Sequence, residues 1–216
     1  MLETFELFWR VISKPNEAFQ YMKERKPLYA TITYLFIFGI VSYLSFYISL
    51  EYFLSLKDIG ISSIIIELQK NFSAVFSNYI HSPSIIIILI ILPFIFTFLT
   101  AGIFSLVGEF FTKRTNGIAL FTSFAFASIP SLISKAVNAF MISLVGFGLP
   151  YYFALLFMVW GIILYIIAIG KIFEVNKSVA IGIFFVPIIV IILFGIIYSV
   201  SLFNIISPLL QSISGV

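Results

Sequence analysis

Polar and charged positions recur at every turn through the first 26 residues, and then they stop. From Pro27 to Leu50 there is no charged side chain, and the same holds from Ser84 to Gly108 and from Ser178 to Phe203. Two further runs, Gly117–Ala139 and Pro150–Ile172, carry one lysine each, Lys135 and Lys171. A helix rises about 1.5 Å per residue, so some 20 apolar residues cross the roughly 30 Å hydrocarbon layer of a bilayer. Every one of the five runs is long enough. The pattern predicts an all-α polytopic membrane protein: five transmembrane helices in a bundle, with amphipathic helices at its interfaces.

The punctuation between runs fits this division. Pro27 opens the first span where its missing N–H does no harm, and Ser82-Pro83 leads into the second. Gly146-Phe147-Gly148-Leu149-Pro150 is turn chemistry and separates the third span from the fourth. Pro93, Pro130 and Pro187 fall inside spans, where each removes a donor and bends the helix. Only Pro130 has a polar neighbour, Ser131, so the bends are read as packing devices. Small residues four apart let helix backbones approach closely in lipid. They occur as Ser123, Ala127 and Ser131, as Ala101 and Ser105, and as Gly195 and Ser199.

Three parts follow: an amphipathic N-terminal segment, residues 1–26; a five-span membrane domain, residues 27–203; and a short C-terminal tail, residues 204–216. In the first, Leu2, Phe5, Phe8, Trp9 and Ile12 are expected to share one helical face, away from Glu3, Glu6 and Arg10. Ser13-Lys14-Pro15 breaks the helix, and Ala18, Phe19 and Met22 form the face of a second one. The pair reads as interfacial helices lying on the bilayer with Trp9 as an aromatic anchor. It also offers Phe8, Trp9, Pro15, Phe19 and Tyr21 as contacts for a cytosolic partner. The connection between the first two spans is too long for a simple loop. Its Ile61, Ile65, Leu68, Phe72, Val75 and Tyr79 recur at spacings of four and three, predicting an amphipathic helix over residues 61–80 on the opposite face of the membrane.

Charge gives direction. Of twelve Lys and Arg residues, nine fall in the N-terminal segment and at or just beyond the ends of the second and fourth spans on the same side. By the excess of cations on cytoplasmic loops, the N-terminus is expected inside the cell membrane and the C-terminus outside. Composition then narrows the chemistry. Hydrophobic residues make up 62% of the chain and charged ones 10%, which leaves too little polar side chain to cover a soluble globule. Mean hydropathy is +1.18. The net charge of +3 is dispersed among apolar spans and implies no nucleic-acid partner. With no cysteine and one histidine, His81, there is no thiolate chemistry and no multi-histidine metal site, and no cofactor is expected. Paired-glutamate, G-x-S-x-G, H-E-x-x-H and P-loop motifs are all missing, which argues against an enzyme.

Polar groups within a span are costly enough to single out. Lys135 leads, with Ser131 one turn before it and Asn138 one turn after. Counted along a straight helix from Gly117, Lys135 lies about 27 Å in, near the outer interface, where its side chain is expected to snorkel to water. Glu109, Lys113 and Arg114 form a charged group at the inner end of the second span.

The order of several short segments resembles a known family. Ser13-Lys14-Pro15-Asn16-Glu17-Ala18-Phe19 before a basic stretch and the first span is similar to the opening of Yip-domain membrane proteins, the Ypt/Rab-interacting proteins. Ala125–Pro130 resembles that family's small-aromatic-Ser-x-Pro segment. Trp160 and Lys177-Ser178-Val179-Ala180 fit its closing part, so the resemblance covers about Phe8–Ile197. It implies a five-span protein with a cytosolic N-terminus. Eukaryotic members work in vesicle trafficking with small GTPases. With only 26 residues before the first span, this sequence resembles the short bacterial or archaeal type. The expected function is a non-enzymatic membrane scaffold or trafficking-like adaptor, its partners the lipid bilayer and a cytosolic protein or a second copy. The alternative is a small transporter or channel with a path near Pro130, Ser131, Lys135 and Asn138.

Overall fold

The computed structural model describes residues 1–55 and 82–214, with backbone alone for 54–55 and 201–214. The amphipathic segment expected over 61–80 lies outside the described residues. Among those described there are eight helices and no strand. They are α1 (Leu2–Ser13), α2 (Pro15–Arg25), α3 (Leu28–Ser55), α4 (Pro83–Thr112), α5 (Gly117–Ala127), α6 (Ile129–Val145), α7 (Tyr151–Phe173) and α8 (Lys177–Ser214). Among the described residues five stretches are long and apolar enough to cross a membrane: Leu28–Phe53, Pro83–Thr112, Gly117–Val145, Tyr151–Phe173 and Lys177–Val200. The chain is an all-helical, multi-pass membrane protein.

The third span is the centre of the bundle, with 61% of its span window buried against at most 33% for any other. It packs on the first, second and fourth spans, while α8 closes the bundle against α4 and α7. The sequence predicts one bent helix here; the structure has two. Pro130 has no N–H, and its ring would crowd the carbonyl four residues back, that of Phe126. Ser128 absorbs the break at φ −79° and ψ 1°, its N–H and Oγ both donating to Ala125 O at 3.2 and 2.6 Å. Pro93, by contrast, sits within an unbroken α4. The third span also runs past Ala139 to Val145, where Gly146 ends it in the left-handed region at φ 76°. Likewise α8 does not stop at Phe203 but continues to Ser214.

Close approach is achieved where two glycines stand, and the small-residue spacings did not name them. A Cβ on Gly39 of α3 would lie 2.3 Å from Ile90 O of α4, and one on Gly108 would enter the Phe173 ring. Of the expected small-residue pairs, Ser123 and Ala127 are fully buried and Ala101 nearly so. Gly195 has open space beside it.

The N-terminal helices are part of the bundle. α1 and α2 pack on each other and dock on α3, α5 and α7. Leu7, Val11, Ala18, Phe19 and Met22 join the same core as Leu35, Phe124, Ile169 and Phe173. The α2 face follows the sequence pattern. That of α1 does not: Thr4, Leu7 and Val11 face inward with Phe8 and Ile12 at their flanks, whereas Leu2, Phe5 and Trp9 are 91%, 74% and 62% exposed. Nearly every position of α1 outside Glu3, Glu6 and Arg10 is apolar, so two stripes compete. Packing selects the one that α2 and α3 can cover.

Candidate functional site

Two places concentrate polar chemistry. One is inside the bundle, where α3 runs parallel to the third span and a ladder of polar contacts ties them. Tyr34 and Ser128 hydroxyls lie 3.1 Å apart. Ser45 Oγ donates to Lys135 O at 3.0 Å, and Lys135 Nζ donates to Ser42 Oγ at 2.9 Å. Asn138 Nδ2 donates to Ser49 Oγ at 3.2 Å. Ser42, Ser45 and Ser49 are spaced by three and four, so they share one face of α3. A search for polar residues at helical spacing in the first span, and not only for small ones, would have found that stripe.

Lys135 does not snorkel toward the end of its helix. Its carbonyl is level with Ser45, and its ammonium reaches back one turn to Ser42, 4.6 Å from the centroid of the Phe38 ring. Helical side chains tilt toward the N-terminus of their own helix, and Val145 ends the helix ten residues beyond. Ser42 sits near the middle of Leu28–Phe53, so the charge is held at mid-span. An ammonium there costs about 2.5–3.5 kcal/mol on insertion scales, against which stand one hydroxyl acceptor and one aromatic face.

The expected constellation divides. Ser131 and Lys135 together line two cavities of about 410 and 400 Å³, which also share Ser128 and Tyr165. Asn138 lines neither: its Oδ1 accepts the Leu149 N–H at 2.8 Å and so ties down the turn between α6 and α7. Pro130 is buried beside the helix break. The four residues do not line one path. Ser123 Oγ is buried with no hydrogen-bond partner among the described residues.

The second place is the end of the bundle where the chain begins. Glu174 accepts hydrogen bonds from Lys23 of α2 and from Arg114 of the α4–α5 connection, joining three segments of the chain. It caps α7 at φ 55°, in the left-handed region usually left to glycine. Arg114 therefore belongs to a network across 60 residues of sequence and not to a local group with Glu109. The two cations hold the Glu174 carboxyl below the usual carboxylate range, with the Lys23 hydrogen bond the larger cause. A depressed native pKa adds stability that is complete above the ordinary carboxylate pKa and disappears as pH falls through the native value. We expect docking of α2, followed by thiol labelling of a cysteine placed at Met22, to loosen modestly over that acid window. Glu174→Gln should be loosened already at neutral pH and show no further acid dependence there; an unchanged acid response would discard the network as its cause.

Of the proposed partner contacts, Phe19 is fully buried and presents nothing to a partner. Pro15 starts α2, and Tyr21 donates to Glu3 Oε1 at 3.3 Å with the Arg10 guanidinium 5.7 Å over its ring. Trp9 is exposed and Phe8 half-buried. Among the described residues no group of three His, Asp or Glu side chains could hold a metal ion.

A five-span bundle capped at one end by a buried helical hairpin, with a polar seam along its central helix, defines an integral membrane protein class. The chain belongs to the Yip1 domain family: the family model matches residues 9–199, from α1 well into α8. No curated protein and no solved structure matches it.

Proposed function

We propose that this Yip1 domain protein is a non-enzymatic scaffold or adaptor of the cell membrane, with its N-terminus in the cytoplasm and its C-terminus outside. The observation that carries the reading is the docked hairpin. Its inner face is consumed by the bundle, and its outer face displays Leu2, Phe5 and Trp9 beside Glu6 and Arg10. Apolar side chains held on a rigid cap at the membrane surface suit contact with a cytosolic protein or a second copy, set against the bilayer headgroups. Lys23, Arg114 and Glu174 unite segments that carry most of the cations, so a single end of the bundle collects the charge that orientation rules place inside. Photocrosslinking from Phe5 or Trp9 in native membranes tests the role: a protein adduct supports it, and recovery of lipid alone counts against it.

The lack of native cysteine makes orientation directly measurable. Single cysteines at Ser73 and Ser214 are expected to label from outside intact cells, and those at Ser13 and Thr115 are not. Labelling of all four, or the reverse pattern, would overturn the orientation.

A further inference from the structure

Among the described residues, the ammonium of Lys135 has no anion beside it. It offers three N–H donors; Ser42 Oγ accepts one, and the Phe38 face covers another side without a counter-charge. Among the described residues no Asp or Glu lines either adjoining cavity. Lys135, Ser128, Ser131 and Tyr165 form the wall common to both, and Ser42, Thr97 and Thr100 add hydroxyls to the larger one. The remainder of that larger cavity is hydrocarbon, with Phe46, Leu89, Leu92, Phe96 and Phe124 among its walls. A charged polar end flanked by apolar walls matches a ligand with one small anionic group on an apolar tail. A phosphate monoester would bring more negative charge than one ammonium neutralises, and a small inorganic anion would leave the apolar walls unused. A carboxylate carries a single charge and accepts from both ammonium and hydroxyl.

We propose that the cavity beside Lys135 binds the carboxylate end of a long-chain fatty acid. The ammonium and the Ser131 hydroxyl hold the head, and the aromatic and leucine walls take the first carbons of the chain. This site goes beyond the scaffold reading and does not depend on it.

The test uses the full chain in phosphatidylcholine nanodiscs with a fatty acid bearing a diazirine near its carboxyl end, and peptides mapped after illumination. Adducts are expected on α3, α4 and α6 at cavity residues such as Phe46, Leu92 and Ser131. Oleate should compete; oleyl alcohol, acetate and inorganic phosphate should not. Lys135→Met is expected to lower the adduct yield about 10- to 100-fold, the effect of losing a hydrogen bond to a charged group. Lys135→Gln, which keeps a donor for Ser42, should lower it comparably, and Lys135→Arg should retain most of it. Should Lys135→Met not fold, Lys135→Gln decides alone. Equal yield in the parent and the uncharged variants, or equal competition by oleyl alcohol, overturns the proposal in favour of an unspecific apolar cavity. Displacement by phosphate as effective as by oleate overturns it in favour of a small-anion site.

Discussion

Exchanging Gly39 for leucine will cost this protein its fold or most of its thermal resistance. The Cβ of any side chain there would stand 2.3 Å from Ile90 O and 3.0 Å from the Ile90 Cα and carbonyl carbon. These are backbone atoms of a packed helix, so no rotamer change makes room. The two helices must separate along their length, and the first span would lose its contact with the second. Overpacking by a methylene or two costs about 1–3 kcal/mol even where side chains give way. Gly39→Ala should therefore lower the melting midpoint clearly, and Gly39→Leu should leave little monodisperse protein after extraction. Gly102, with nothing within 4 Å of its own Cβ position, is the control, and Gly102→Leu should melt like the parent. Equal midpoints for Gly39→Leu and Gly102→Leu would show that α3 and α4 do not meet at this crossing.

That glycine illustrates what a sequence alone carries. The five spans were legible because the bilayer imposes a length and an uncharged interior, and both are properties of one segment at a time. Residues that meet across segments were not. Gly39 looks like any glycine in an apolar helix until Ile90 is placed against it. Glu174 looks like a lone acid between two spans until Lys23, 151 residues away, arrives beside it. Lys135 was expected to snorkel to the outer interface, whereas its ammonium reaches back to mid-span, a direction set by side-chain tilt and by a serine face on another helix. In α1 the apolar count left two faces open, and only the neighbours decide between them. Pro130 and Pro93 were both read as bends for packing; the break develops at Pro130, with Ser128 positioned to take up the Ala125 carbonyl.

Truncating Phe19 to alanine is expected to release the N-terminal hairpin while the five spans stay assembled. Phe19, Ala18 and Met22 are each fully buried, and Phe19 is the largest of the three. Removing a buried phenylalanine ring costs about 3–5 kcal/mol. The rest of the seat is the smaller apolar set Leu7, Val11, Ala18 and Met22, and the Lys23–Glu174 pair, exposed on its acidic side and screened by solvent, adds little. Local opening draws on the stability of the element that opens and not on that of the whole bundle. A cysteine at Val11, itself fully buried, reports the opening to a membrane-permeant thiol reagent without interference from other thiols. Labelling should be slow in the parent background, much faster with Phe19→Ala, and unchanged with Trp9→Ala, whose side chain is 62% exposed. Equally slow labelling in the parent and Phe19→Ala backgrounds would mean that something other than this apolar face seats the hairpin; equally fast labelling would mean that the hairpin is not seated, and its outer face would then lack the fixed geometry that the scaffold reading requires.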